Sequence, residues 1–463
     1  MKKNILMIFL TTIFWFYSFS TVLAQETVSE LENTKQTLEL GADAAILMDA
    51  TTGEILYEKN SDKKEYPASI TKIMTALLAL ESGKMDETIT FSHNAIFGIE
   101  PGSSHIALQE GEKITMEQAL YALLMRSANE AALGIAEQVD GSVEAFANHM
   151  TQRAKELGCE NTNFVNPNGL HDENHYTTAY DMALIAKEAL KFDEFRKIIQ
   201  TMYYEIPPTN KQSETRYLYG QHQMIKPPSI YTYEGCEGGK TGFTNEAQNT
   251  LVTYAKRDNT ELIAVVLHCQ GAGHYEDTIK LFDYGFANYK TQKLSSADDI
   301  AKTISVVKQE GEKISQIDSI TAKPETDIYK TVPIDFDSSQ LTTIIDVPQQ
   351  LTAAVNKNDE VGNVKFYYQG KILSTIPLLA DRSSEDTTAV AASIQTNGTV
   401  NTMEKNMIPF FGNIRNMILF SVGCGIVTFF IAFLICRTIS CYKRRRRRLA
   451  RQKRLSRHRR SYR

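Results

Sequence analysis

Twenty residues without a charge, 417–436, are followed at once by Arg437 and then by the basic run Lys443–Arg448. An apolar stretch of that length is enough to cross a bilayer, and cations flanking it stay on the cytoplasmic side. The other end, MKKNILMIFLTTIFWFYSFSTVLAQE, joins Lys2 and Lys3 to an apolar stretch and then to Val22-Leu23-Ala24, a secretory cleavage pattern. These two segments constrain the chain most. They predict a signal peptide at 1–24, cut after Ala24, then residues 25–416 outside the cytoplasmic membrane. Residues 417–436 would form one transmembrane helix, and 437–463 a basic cytoplasmic tail.

Charge is partitioned to match. The formal net charge is only −5, but residues 437–463 hold 14 Lys and Arg and no acid. With the two lysines of 1–24 also set aside, residues 25–436 carry −21. An acidic body argues against nucleic acid as its ligand. The tail reads as a topology determinant, with anionic lipid as a second contact. Of the external cysteines, Cys159, Cys236 and Cys269, no complete pairing exists, and they are expected as small buried apolar residues.

Along the body, apolar Ala44–Met48 and alternating Glu54–Lys59 flank the turn Ala50-Thr51-Thr52-Gly53, which predicts a β-hairpin. Helices are expected over 69–81, from the capping box at Thr115 to Met125, and over 130–139, 142–157 and 178–190. The runs 249–256 and 261–269 predict a second hairpin, and 275–289 a closing helix. Strands at both ends with helices between make 40–292 an α/β domain, a sheet covered by helices. Residues 295–380, in short Thr-, Val- and Ile-rich segments, predict a small all-β domain. Residues 381–416 read as a flexible stalk.

The chemistry is concentrated in three places. Ser69 and Lys72 in Pro67-Ala68-Ser69-Ile70-Thr71-Lys72 lie about one helical turn apart, on one face. A serine hydroxyl is a poor nucleophile until a base takes its proton. A lysine can do that only when neutral, which near pH 7 requires about 4–5 kcal/mol from burial or a neighbouring cation. Ser127-Ala128-Asn129 falls in a break between two predicted helices and offers a hydroxyl and an amide. Lys240-Thr241-Gly242, on a predicted strand, offers an ammonium, a hydroxyl and a glycine that leaves room for a substrate backbone.

The order and separation of these elements resemble those of the low-molecular-mass penicillin-binding proteins, the serine-type D-alanyl-D-alanine carboxypeptidases. The resemblance covers about 40–290. It includes the segments Asn166-Pro167-Asn168-Gly169-Leu170 and His175-Tyr176-Thr177-Thr178-Ala179, and extends to the β-rich domain. It implies a penicillin-binding/β-lactamase-like fold, an antiparallel sheet flanked by helices. It also implies removal of the terminal D-alanine from peptidoglycan stem peptides, with β-lactams as covalent inhibitors and no metal or organic cofactor. By the same resemblance Ser69 would be acylated and Lys72 would take its proton. Ser127 would relay a proton to the leaving D-alanine, and Asn129 would orient Lys72 and the substrate. Lys240 and Thr241 would bind the substrate carboxylate beside Gly242, and the backbone N–H groups of Ser69 and Phe243 would form the oxyanion hole.

Three other readings compete. A β-lactamase would need a carboxylate for deacylation, often in Glu-x-x-Leu-Asn, and no such segment occurs here. A zinc hydrolase could use His171 and His175, four apart, but they follow an Asn-Pro-Asn-Gly turn and lack His-Glu-x-x-His. A membrane-tethered β-lactam sensor or wall-binding protein would be acylated on Ser69 without turnover.

Overall fold

The computed structural model describes residues 38–384, apart from 311 and 353. The expected signal peptide, membrane-spanning segment and basic tail lie outside those residues. Among the described residues no helix is long and apolar enough to cross a membrane.

A five-stranded antiparallel sheet organises the first domain. Its order is Ile55–Lys59, Ala44–Asp49, Thr260–Cys269, Gln248–Arg257, Cys236–Thr244. The first strand, AAILMD, is buried at every position because helices cover both faces of the sheet. Alternation then divides its side chains between two cores. Ile46 and Met48 pack with Val265 and the buried helices Lys72–Glu81 and Met116–Met125. Ala45 and Leu47 pack with Val266 and with Leu281 and Phe282 of the closing helix Gly273–Asn288.

Helix starts follow their capping residues. Thr115 and Gln118 form the reciprocal capping box, Ser142 accepts from Ala145 N, and Thr178 from Asp181 N. The helix expected over 69–81 is divided: Ala68–Thr71 is a tighter 3-10 turn, and the α-helix begins at Lys72. Several elements had no expectation: the short helix His93–Phe97, the paired strands Thr88–Thr90 and Lys113–Thr115, the helix Asp193–Gln200, and the hairpin Tyr203–Ile206 with Arg216–Tyr219. Cys159, Cys236 and Cys269 are free thiols, the first and last buried.

The second domain is all β. The strand Tyr289–Ser295 pairs with Ile328–Pro333, so the pairing starts before residue 295. A six-stranded sheet packs Ile320, Val364, Phe366 and Leu378 into a separate core. Residues 381–384 are fastened to it: Asp381 N donates to Thr321 O, and Ser384 N to Val355 O, at 3.0 and 2.8 Å. A polar seam joins the two domains. The fully buried carboxylate of Asp49 accepts from Thr291 Oγ1 at 2.5 Å and from Thr331 Oγ1 at 2.9 Å. Glu54 accepts from Thr331 N at 3.1 Å and pairs with Lys330.

Candidate active site

The nucleophile candidate sits at a helix entrance pressed from two sides. Ala68 has a positive φ of 50°, which few residues with a Cβ adopt. On one side Thr250 Oγ1 donates to Pro67 O at 2.8 Å. Here the strand Cys236–Thr244 runs so close that a Cβ on Gly242 would lie 2.8 Å from Ser69 N and 2.4 Å from Thr250 Oγ1. The space expected at Gly242 for a substrate thus faces the nucleophile's own loop. On the other side a Cβ on Gly169 would lie 1.9 Å from Ala68 O. Gly169, at φ +81°, closes a loop held by Asn166 Oδ1, which accepts from Gly169 N at 2.7 Å. Thr75 Oγ1 ties the same loop to the helix by donating to Pro167 O at 2.5 Å.

Lys72 lies where these pieces meet, fully buried at the first turn of its helix. Its ammonium donates to Ser69 Oγ at 3.0 Å, to Asn129 Oδ1 at 2.7 Å and to the carbonyl of Asn168. All three acceptors are neutral. Burial pushes the Lys72 pKa well below the usual lysine range, and Lys240 adds to the effect, while the buried carboxyl of Glu130 opposes it. Asn168 and Glu130 are the contributors that sequence reasoning missed. Asn168 acts through its main chain, which no residue type announces. Glu130 directly follows Asn129; it is 1 % exposed and accepts from Ile106 N at 2.7 Å.

Ser127 occupies the bend between two helices, 6 % exposed at φ +57°. The bend is fixed by Arg126 N and Ala128 N, both donating to Ala122 O at 3.1 Å, and by Asn129 N donating to Ser104 O at 2.8 Å. Among the described residues the Ser127 hydroxyl makes no hydrogen bond to Ser69 or Lys72; its neighbour Asn129 does.

Lys240 is 2 % exposed, and its ammonium donates to Thr241 O at 2.7 Å. Burial pushes its pKa down to about 7. Beside it His222, pushed to about 3 by burial and by Lys240, stays neutral, with Nε2 3.2 Å from Thr253 Oγ1. Thr241 is half-buried and Phe243 is 58 % exposed, its backbone paired with Asn249.

The histidines of the zinc reading part company. His175 Nδ1 accepts from Val165 N at 3.1 Å, which assigns the proton to Nε2, 2.9 Å from Thr71 Oγ1. Both nitrogens are committed, and burial pushes the ring to about 4. His171 instead meets Tyr66 edge-on. Among the described residues, the grouping of three potential ligands is Asp43, Glu65 and His268. Lys63 already stands there, 3.1 Å from Asp43 and 2.6 Å from Glu65.

A serine hydrogen-bonded to a buried lysine, beside a second buried lysine on a sheet edge, defines a serine acyl-transfer enzyme with a lysine base. The chain belongs to the D-alanyl-D-alanine carboxypeptidase family, whose model matches residues 31–271. Residues 289–386 match the penicillin-binding protein 5 C-terminal domain. D-alanyl-D-alanine carboxypeptidase DacF of Bacillus subtilis is 35% identical over 355 residues, 75% of this chain and 87% of its own. Penicillin binding protein 5 from Haemophilus influenzae superposes with a TM-score of 0.64 at 27% identity, covering 75% of this chain and 98% of that one. The Streptomyces K15 DD-transpeptidase superposes at 0.51 with 29% identity, over 54% of this chain and 99% of that one.

Proposed function

We propose that this protein is a penicillin-sensitive serine D-alanyl-D-alanine carboxypeptidase that shortens peptidoglycan pentapeptides. Ser69 Oγ attacks the carbonyl carbon between the last two D-alanines, and its proton passes to neutral Lys72. The amide C–N bond breaks, and D-alanine leaves with a proton relayed through Ser127. An ester on Ser69 remains. Water, deprotonated by the same lysine, attacks that ester and frees the shortened peptide and the serine. Lys240 and Thr241 receive the terminal carboxylate, which supplies the charge that Lys240 lacks as a partner in the free enzyme. The Ser69 and Phe243 N–H groups hold the oxyanion, where losing one donor typically costs about 2.7–4 kcal/mol. A β-lactam acylates the same serine and leaves slowly.

The 3.0 Å contact between the fully buried Lys72 Nζ and the partly exposed Ser69 Oγ carries this reading. The test is release of D-alanine from a pentapeptide, together with labelling by a fluorescent penicillin. Wild type does both and Ser69→Ala neither; labelling without sustained release would make the protein a sensor. We further propose that it works outside the cytoplasmic membrane, exported by 1–24 and held by one span at 417–436, its basic tail inside. The charge-free run and the cations after it support that placement. Protease applied to intact cells should remove the penicillin-labelled domain and spare an epitope placed after Arg463.

A further inference from the structure

The hairpin Tyr203–Ile206 with Arg216–Tyr219 has one face turned inward and one outward. Tyr203 pairs with Tyr219, and Glu205 with Tyr217. Alternation therefore sets Tyr204, Ile206 and Leu218 against the domain. Ile206 and Leu218 are buried, and Tyr204 stacks on Tyr121 at 3.6 Å between centroids. The opposite face carries Tyr203, Tyr217 and Tyr219, exposed by 46, 57 and 56 %. A ribbon with one face packed normally presents polar residues on the other. Here the three rings form a continuous platform instead. Tyr203 lies nearly parallel to Tyr217 at 6.2 Å and tilted against Tyr219 at 5.4 Å.

The platform adjoins the active site. Arg126, next to Ser127, donates to Tyr219 O at 3.4 Å. Gly220 N closes the base of the hairpin on Met202 O at 2.9 Å. Thr201 and Gly220, at that base, line a small cavity of about 20 Å³ together with Thr241.

We propose that Tyr203, Tyr217 and Tyr219 form a docking platform for the sugar rings of the glycan strand that carries the substrate peptide. The proposal rests on the function given above and adds a second contact to it. A pyranose presents C–H groups on one face and hydroxyls at its rim, which suits an aromatic face with phenolic groups at its edge. A five-residue stem extends at most about 17 Å. The sugar that carries a bound stem therefore stays within that reach of Ser69, where a surface beside the cleft is open to it. Glu205 shares the face and pairs with the Tyr203 hydroxyl; its charge disfavours an anionic membrane as the occupant.

The test compares kcat/KM of the full-length protein in detergent on a free pentapeptide and on the same pentapeptide attached to glycan oligomers. Wild type is expected to prefer the glycan-linked form. The combined Tyr203→Ser, Tyr217→Ser and Tyr219→Ser variant should lower the ratio of linked to free at least tenfold. Tyr217→Ser alone should lower it in part, and Tyr217→Trp, which keeps a ring, should preserve it. A wild type without preference, or serine variants with an unchanged ratio, would overturn the platform. A wild type that cleaves neither substrate would instead defeat the carboxypeptidase reading.

Discussion

Lys72 and Asn129 meet at 2.7 Å, and what the ammonium finds there is a neutral amide oxygen. A carboxylate at that point would keep the lysine protonated and remove the base. Nature of the acceptor, more than distance, is therefore what the position selects.

Asn129→Asp supplies that carboxylate with little change of shape. An opposite charge so close shifts a pKa by about 1–3 units. Lys72 loses its proton as pH rises through its pKa, so the ascending limb of kcat/KM should move to higher pH by that amount. Activity at pH 7 should fall at least about tenfold. A pH profile of D-alanine release measures it, and an unmoved limb would remove Lys72 from the role of base.

Lys240 links activity to stability. Its pKa falls from 10.5 to about 7 on folding, so between those values the folded state holds fewer protons than the unfolded one. Stability then rises with pH across that window and is lowest below it. The buried charge costs about 4–5 kcal/mol at pH 6 by this linkage. Lys240→Met should therefore raise the melting temperature most at pH 6 and progressively less toward pH 10, while cleavage of peptides with a free terminal carboxylate is lost. A stability difference independent of pH would contradict this account.

Gly169→Ala should damage acylation without touching a catalytic group. The new methyl would meet Ala68 O at 1.9 Å, on a backbone at φ +81° that alanine rarely adopts. Relief requires moving Ala68 and Ser69 or the loop that bonds Lys72. The rate of labelling by fluorescent penicillin should fall about 100-fold, with a loss of at least ~1 kcal/mol in stability. Labelling at the wild-type rate would show that the loop has no part in placing Ser69.

Arg216 and Glu112 are joined twice, at 2.6 and 2.9 Å, with Glu112 fully buried. Arg216→Met leaves that carboxylate without its cation and should cost about 3–5 kcal/mol in urea unfolding. Adding Glu112→Gln should recover part of the loss, since the amide oxygen can accept from Gln109 N while its NH2 donates to Thr209 Oγ1.

What could be read from the chain beforehand follows a pattern. The helix starts at Thr115, Ser142 and Thr178 were legible because a capping side chain acts within three residues of itself. The three reactive elements were legible because their order along the chain survives in the sequence. Asn168 was not, since its contribution is a carbonyl oxygen brought to Lys72 from 96 residues away. The neighbour facing Gly242 was equally hidden, because the crossing of Thr250 under Pro67 is a tertiary event. The Tyr203–Tyr219 hairpin escaped for a different reason: its strands have four residues each, too few for alternation to stand out.

The seam at Asp49 bears on how an anchored copy of this protein would search its surroundings. A greasy joint can slide, whereas a swivel here would strip a sequestered carboxylate oxygen, Asp49 Oδ2, of both its hydroxyl donors. In a copy tethered as proposed, the β domain would serve as a pedestal under the catalytic sheet, with these contacts resisting a turn of the cleft relative to the strand end at Ala380. Reach into the wall would then be set by the length of chain beyond that pedestal, and aim by the pedestal itself.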